Sequence, residues 1–243
     1  MHVKKAIILL GGKGTRLSGL FPDRPKALVP VAGRPFLAWQ LDWLFSRGFT
    51  SVLLAAGYLG DKIRDWVGQQ SFRDKVQVFI EPALHGTGGG LKYLENMVCC
   101  DSFWAFNGDS LLPNLDFKLM EETHRKSVAL ATLAVTTMED AARYGTILFD
   151  DKGEKGEKGK KGKIINFNEK GTSGPGWVNA GIYLLEPALL SVIIPGKPVS
   201  IEKEVFPKLV STDKLFVFKS APPLLDMGTP EGLKNMENYL LRK

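Results

Sequence analysis

The stretch GGKGTRLSGLFPDRPK, residues 11–26, stands directly behind the apolar run Ala6-Ile7-Ile8-Leu9-Leu10 and decides how the chain is read. A short apolar run closed by glycine has the pattern of a parallel strand buried on both faces. Gly11, Gly12 and Gly14 let the chain leave that strand through conformations closed to other residues, with backbone N–H groups turned outward. Arg16 and Lys26 then add two cations of different character. Arginine offers a planar fork suited to phosphate oxygens, whereas lysine is a mobile point charge. A plain tight turn would explain the glycines alone. The glycines with both cations, after a first strand, point to a nucleoside triphosphate site.

Two glycine motifs fail here. The dinucleotide fingerprint G-x-G-x-x-G has Leu17 where its third glycine belongs, and no Walker sequence G-x-x-x-x-G-K-[ST] occurs. The rest of the composition is ordinary: 243 residues, 44% hydrophobic and 24% charged, enough for one sizeable core and read as one domain over 1–243. No run of 18 apolar residues predicts a membrane span, and MHVKK leads straight into the first strand, leaving no room for a signal peptide. Cys99 and Cys100 are adjacent and cannot form an ordinary staple, which fits a reducing cytoplasm. His2, His85 and His124 are far apart, form no metal spacing and are read as incidental. Much of the net charge of +6 lies in GEKGEKGKKGK, residues 153–163, with five lysines and two glutamates. Its glycines recur every third residue, but the run is too short and lacks the proline that a triple helix needs. It is read as a solvated, dispensable loop. Without interleaved aromatics it gives no reason to expect nucleic-acid binding.

Along the first half, strand-like and helix-like segments alternate, which predicts an α/β fold with a mostly parallel sheet. Strands are expected over 6–10, 51–56, 76–80, 103–107 and 128–135; helices are expected over 35–47, 61–67, 91–97 and 116–125. Beyond Tyr144 the texture changes: 144–149 and 163–168 read as arms of a hairpin around the lysine-rich loop, with a strand over 177–185 and helices over 201–210 and 231–241. Thr229 as N-cap with Pro230 at the first helical position marks the start of the last helix.

Three further places carry chemistry. Glu81-Pro-Ala-Leu-His-Gly-Thr-Gly-Gly-Gly90 sets three glycines at a helix start, where a flat ligand could approach the backbone closely. Asn107-Gly108-Asp109 closes a strand, and the carboxyl ends of strands form the ligand crevice of an open α/β sheet. A carboxylate there, near phosphates, suits Mg²⁺, which prefers one or two carboxylates plus phosphate oxygens and water. Asp226, in Leu225-Asp226-Met227-Gly228-Thr229-Pro230, would by itself be a helix-start residue, and Glu169-Lys170 would be solvated surface. No Ser or Cys nucleophile with a His partner is evident.

The ordered pattern G-G-x-G-T-R-L followed by P-K-A-L-V-P-V-A-G-R-P resembles the sugar-1-phosphate nucleotidylyltransferases. The resemblance runs from about Lys5 to Tyr239. It implies a GT-A-like nucleotide-diphospho-sugar transferase fold, a Rossmann-like mixed sheet flanked by helices, with a nucleotide-binding half to about residue 135 and a smaller sugar-binding lobe after it. It implies nucleotide contacts from Leu9, Gly11, Gly12, Gly14 and Thr15, and base contacts from Gly86, Thr87 and Gly88. Arg16 and Lys26 become the catalytic cations, on the outer phosphates and the transferred region respectively. Asp109 and Asp226 become the Mg²⁺ ligands. Asn107, Gly145 (in Arg143-Tyr144-Gly145), Glu169, Lys170 and Asn179 (in Asn179-Ala-Gly-Ile-Tyr183) become the sugar-phosphate site. The implied reaction is NTP + sugar 1-phosphate → NDP-sugar + pyrophosphate, in the cytoplasm, with no nucleic-acid or membrane partner and with a homo-oligomer left open.

The words at 33–37, 56–59, 106–110 and 200–207 look most like the branch that joins GTP to D-glycero-D-manno-heptose 1-phosphate. Mannose 1-phosphate guanylyltransferases and N-acetylmuramic acid 1-phosphate uridylyltransferases are rivals. A non-catalytic sugar-nucleotide sensor on the same fold is the alternative of another class. Three departures stand out: Leu10 sits where the family has Ala or Gly and would crowd the nucleoside, Ser18-Gly19-Leu20-Phe21 replaces a Pro-Leu-Thr step, and 153–163 looks inserted.

Overall fold

A computed structural model describes residues 4–12, 14, 19–98, 101–144, 146–150, 161–167 and 174–242. In chain order the elements are β1 (Lys5–Leu10), β2 (Pro30–Val31), β3 (Arg34–Pro35), α1 (Phe36–Ser46), β4 (Ser51–Ala56), α2 (Gly60–Gly68), β5 (Val76–Ile80) and α3 (Gly86–Tyr93). They continue with β6 (Phe103–Asn107), β7 (Ser110–Leu111), α4 (Phe117–Lys126), β8 (Ala131–Met138), β9 (Ile147–Asp150), β10 (Lys161–Phe167) and β11 (Gly176–Leu185). A π-helical turn (Ile201–Val205) runs into α5 (Phe206–Leu209), and β12 (Leu215–Lys219), β13 (Leu225–Asp226) and α6 (Pro230–Leu240) follow.

Nine strands form one sheet in the order β5-β4-β1-β6-β11-β8-β12-β10-β9. β5, β4, β1 and β6 are all parallel. Antiparallel β11, inserted between β6 and β8, makes the remainder mixed. The expected α/β class stands, as does the hairpin of β9 and β10. β1 lies inside the sheet, and its alternation explains its unbroken apolar run. Ala6, Ile8 and Leu10 face a core with Leu37, Leu41 and Leu44 of α1, Ile63 and Val67 of α2, and Phe117 and Met120 of α4. Ile7 and Leu9 face the opposite core, with Leu91 of α3 and Phe206 and Leu209 of α5. A third cluster, Val29, Val31, Phe36, Leu111, Leu225, Met227 and Met236, gathers the β2–β3 ribbon, the β7–β13 ribbon and α6.

Four points of the expected secondary structure need correction. α3 starts at Gly86, not at 91, so the glycines lie inside the helix. Packing overrides their poor propensity. A Cβ on Gly88 would come 3.1 Å from Val199 Cγ1, and one on Gly89 2.5 Å from His85 Cβ. β8 starts at Ala131, because the chain is still turning at Val128, whose φ is +49°. The helix expected over 201–210 opens as a π-turn and closes as a 3₁₀ turn around the four residues of α5. β12 was not foreseen, although LFVFK is an apolar run of strand length.

His124 is not incidental. It is 3% exposed, with Nδ1 2.7 Å from Thr132 Oγ1 and Nε2 3.0 Å from Glu186 Oε1. Burial, opposed by Glu186, holds its imidazolium below the ordinary 6.5. The unfolded chain therefore takes up the proton first as pH falls. Stability to urea should be fully present above pH 6.5 and decline as the pH drops below it. His124→Gln should flatten that decline, and equal slopes in the two proteins would refute the assignment.

Candidate active site

The site lies at the carboxyl ends of β1, β4 and β6. Asp109 stands two residues beyond the end of β6, and the short β7 after it pairs antiparallel with β13, setting Asp226 opposite Ser110 and Leu225 opposite Leu111. Met227 N donates to Asp109 O at 3.0 Å, closing the ribbon. Two carboxylates 117 residues apart in sequence thus come onto neighbouring rungs. The third apolar cluster holds the ribbon in place: Leu111, Leu225 and Met227 pack with Met236 of α6 and Val29 and Val31 near Lys26.

Lys26 Nζ donates to Asp109 Oδ2 at 2.5 Å. Its stem runs against Gly14, which has a left-handed φ of +60° and whose Cβ, if present, would stand 3.1 Å from Lys26 Cβ. Gly228 fits the turn after Asp226: its N donates to Asp226 Oδ1 at 2.5 Å, and a Cβ there would lie 2.6 Å from that oxygen. Burial raises the Asp226 carboxyl first, and the charge of Asp109 raises it further, against the Gly228 N–H, Lys26 and Arg143. Arg143 Nη2 donates to Thr229 Oγ1 at 2.9 Å, and the guanidinium stacks 5.7 Å from the Tyr144 ring centre. Burial and the charge of Asp226 push the Tyr144 phenol up.

Among the described residues no group of three His, Cys, Asp or Glu could hold a metal. Two carboxylates are what the site offers. They fit Mg²⁺, whose remaining positions are commonly filled by phosphate and water. The strained charge of Asp226 beside Asp109 is one that a divalent cation would relieve.

Next to this cluster, the ends of β1 and β4 approach closely. A Cβ on Gly57 would lie 2.9 Å from Gly11 Cα, and one on Gly11 3.3 Å from Glu81 Oε1. Gly12 faces open space. Leu9 is 9% exposed and lies beside Gly90, where a Cβ would stand 3.4 Å from Leu9 Cδ2. Leu10 does not crowd this cleft. It packs into the core on the other face, over Gly108, where a Cβ would meet Leu10 Cδ2 at 2.1 Å. Glu81 is buried with Oε2 accepting from His85 N at 3.3 Å and lying 3.2 Å from His85 Nδ1. Burial raises its carboxyl, with His85 opposing.

The glycines at 86–90 serve the chain itself. Gly86 has φ +72°, and a Cβ there would stand 2.6 Å from Val199 O, the atom that accepts from Gly88 N at 2.8 Å. Thr87 Oγ1 donates to Glu202 Oε2 at 2.6 Å and accepts from Ile201 N at 3.0 Å. The side of Gly86 and Gly88 on which a Cβ would stand is therefore taken up by Val199, while Gly86 itself stays exposed.

Asn107 pairs with Leu9 across β1 and β6, and its carbonyl accepts from the buried Gln40 at 2.9 Å. Its side-chain Oδ1 is buried without a hydrogen-bond partner. Asn179 Nδ2 donates to Tyr183 Oη at 2.9 Å, while Asn179 Oδ1 accepts from Gly181 N at 2.9 Å. The structure thus joins Gly14, Lys26, Asp109 and Asp226 in one cluster. Leu9, Gly11 and Asn107 lie at the strand ends beside it, and a hydrogen-bonded chain links Thr87 to Asn179. Thr15, Arg16, Gly145, Glu169 and Lys170 lie outside the described residues. Sequence reasoning missed Gln40, Gly228 and Glu202, and gave Tyr183 no role. Only Gly228, in a turn after an aspartate, carried a local signal.

A carboxylate pair crossed by a lysine at the mouth of a parallel sheet is the equipment of a nucleotidyl transferase. The chain matches the nucleotidyl transferase family over residues 5–243 and belongs to it. Among relatives it is 29% identical over 236 residues to D-glycero-alpha-D-manno-heptose 1-phosphate guanylyltransferase of Aneurinibacillus thermoaerophilus, covering 97% of this chain and 98% of that protein. It is 32% identical over 232 residues to mannose-1-phosphate guanyltransferase of Yarrowia lipolytica, covering 93% of this chain but only 61% of that longer relative. The crystal structure of HddC from Yersinia pseudotuberculosis superposes with a TM-score of 0.84 at 27% identity, over 98% of this chain and 99% of that one. Its complex with GMP-PN gives 0.81 at 26% identity, with the same coverage.

Proposed function

We propose that this protein transfers a guanylyl group from GTP to a sugar 1-phosphate, with D-glycero-D-manno-heptose 1-phosphate the favoured sugar. The observation that carries the reaction is Lys26 Nζ lying 2.5 Å from Asp109 beside Asp226 at the strand ends. Transfer at phosphorus asks the protein mainly for alignment and charge neutralisation. An oxygen of the sugar phosphate attacks the α-phosphorus of GTP in line. The new P–O bond forms as the bond to the α,β-bridging oxygen breaks, and that oxygen leaves with its electron pair on pyrophosphate. Asp109 and Asp226 would hold Mg²⁺, which would supply charge neutralisation at the α-phosphate and the leaving group.

Lys26 leaves Asp109 for the transferred phosphate, and Arg16 grips the outer phosphates. Gly11, Gly12, Gly14 and Thr15 line the triphosphate, and Gly86, Thr87 and Gly88 meet the base through backbone groups. Asn107, Gly145, Glu169 and Asn179 take the sugar, and Lys170 its phosphate. The guanine preference is supported by relatives and a structural neighbour that carry guanylyl names or ligands. The heptose preference is supported by the words at 33–37, 56–59, 106–110 and 200–207 and by a heptose relative matched over 98% of its own length. No described helix is long and apolar enough to cross a membrane, and a cytoplasmic setting fits the substrates.

Pyrophosphate release with Mg²⁺ should be measured over four NTPs against heptose, mannose, glucose and N-acetylmuramic acid 1-phosphates. GTP with the heptose phosphate should dominate. A different bright pair would replace the substrate and keep the reaction. A blank grid with GTP binding intact would instead favour a sugar-nucleotide sensor.

A further inference from the structure

Tyr183 is fully buried in β11, and its hydroxyl stands in the middle of a chain of hydrogen bonds. It donates to Glu202 Oε1 at 3.1 Å and accepts from Asn179 Nδ2 at 2.9 Å. The other Glu202 oxygen accepts from Thr87 Oγ1 at 2.6 Å and from Ser200 Oγ at 2.8 Å. Every direction in this chain follows from the carboxylate. An ionised Glu202 only accepts, so Tyr183 must donate to it. Tyr183 must then accept from the Asn179 amide nitrogen, which turns Asn179 Oδ1 to the Gly181 N–H at 2.9 Å.

The backbone is shaped for this chain. Residues four apart in a regular strand are about 13 Å apart, yet the side chains of Asn179 and Tyr183 meet. The register of β11 against β8 slips between them, around Gly181 with its φ of +70°. A bulge of this kind re-aims side chains. The same residue presses on Asn107, since a Cβ at Gly181 would lie 2.7 Å from Asn107 Nδ2. Asn107 Oδ1 beside it is buried without a hydrogen-bond partner.

We infer that Tyr183 and Glu202 are positioning residues that orient the Asn179 amide and, through Thr87, tether the start of α3, so that one relay centred on the buried Tyr183 sets the sugar and base sides of the cleft together. The inference rests on the guanylyltransferase reading for its kinetic consequence but not for its structural one. Neither residue needs to touch substrate. Tyr183→Phe removes only the hydroxyl, and Glu202→Gln keeps the shape while erasing the polarity that fixes Asn179.

Two measurements test it, with thermal unfolding as a check that the variants fold. Hydrogen exchange read by mass spectrometry over residues 86–91 should quicken in both variants, although neither substitution lies in α3. The KM for the sugar 1-phosphate should rise about tenfold, the loss expected when buried partners go unpaired, and the KM for GTP should rise with it as the start of α3 loses its tether. Thr87→Val, which cuts the relay at its far end, should raise the sugar KM as well. Unchanged exchange at 86–91 together with an unchanged sugar KM in both variants would overturn the relay, whatever the change in Tm. Absence of turnover in the wild-type protein with every substrate pair would sink the functional reading alone, and the exchange experiment would still decide the relay.

Discussion

Lys26→Met will lower kcat by a factor of about 10²–10³, the loss typical of removing one preorganised charge from a transition state. The ammonium is not a loose surface group. Its side chain is 19% exposed, its stem packs along Gly14, and its Nζ already lies 2.5 Å from Asp109. The other cation near the acid pair among the described residues, Arg143, is tied to Thr229 and cannot substitute without breaking that bond. The charge matters most as pyrophosphate leaves, so kcat and kcat/KM should fall together while the KM for GTP moves little. Retention of more than about a tenth of wild-type turnover, far above the range for such a charge, would remove Lys26 from the chemistry. A urea midpoint close to wild type is expected, since the methionine keeps the packed stem.

The second large effect reverses a rule of thumb. Replacing a helical glycine by alanine ordinarily stabilises a protein by about 0.5–1 kcal/mol. At Gly232 in α6 the added Cβ would stand 2.1 Å from the backbone oxygen of Asp226, which cannot rotate aside. Either α6 must slide or β13 must lift from β7, so Gly232→Ala should destabilise by about 1–3 kcal/mol, the range for overpacked sites. The same shift would carry the Asp226 carboxylate off its place, and misplacement by an ångström can cost about a hundredfold in rate. Gly68→Ala at the end of α2 is the control, because nothing lies within 4 Å of its Cβ position. A Gly232→Ala protein as stable and active as wild type would mean that α6 does not fix Asp226.

The parallel half of the fold was legible because burial on both faces leaves an unmistakable run. Ile7 and Ile8 have no polar neighbour to alternate with. Asp109 was legible as a carboxylate just beyond a strand end, two residues past Asn107. Asp226 was legible only through its resemblance, because the ribbon that seats it has two residues per strand, too few for a period to register. The glycine helix α3 misled for the opposite reason. Propensity argues against helix at Gly88-Gly89-Gly90, and only the contacts with Val199, His85 and Glu81 show why glycine is needed there. Leu10 looked like an obstacle until its face of the strand was known. Tyr183 and Glu202 stand inside the words at 179–183 and 200–207 but gave no signal of their own role, since a tyrosine in an apolar strand and a glutamate at a helix start are both commonplace.

The ribbon of β7 and β13 also sets a schedule on the ribosome. β1, β4, β5 and β6 are all synthesised by residue 107, and they can pair at once as a parallel unit. Strand β12 must then enter between β8 and β10, which are translated long before it, and β13 follows six residues later. At about 5–20 residues per second this wait is on the order of ten seconds. Throughout it the nascent chain carries its glycine turn, Lys26 and Asp109 without Asp226. The carboxylate pair closes only when residue 226 has emerged, so a chain stalled or released before that point could display the first half of the cleft but not complete its acid pair.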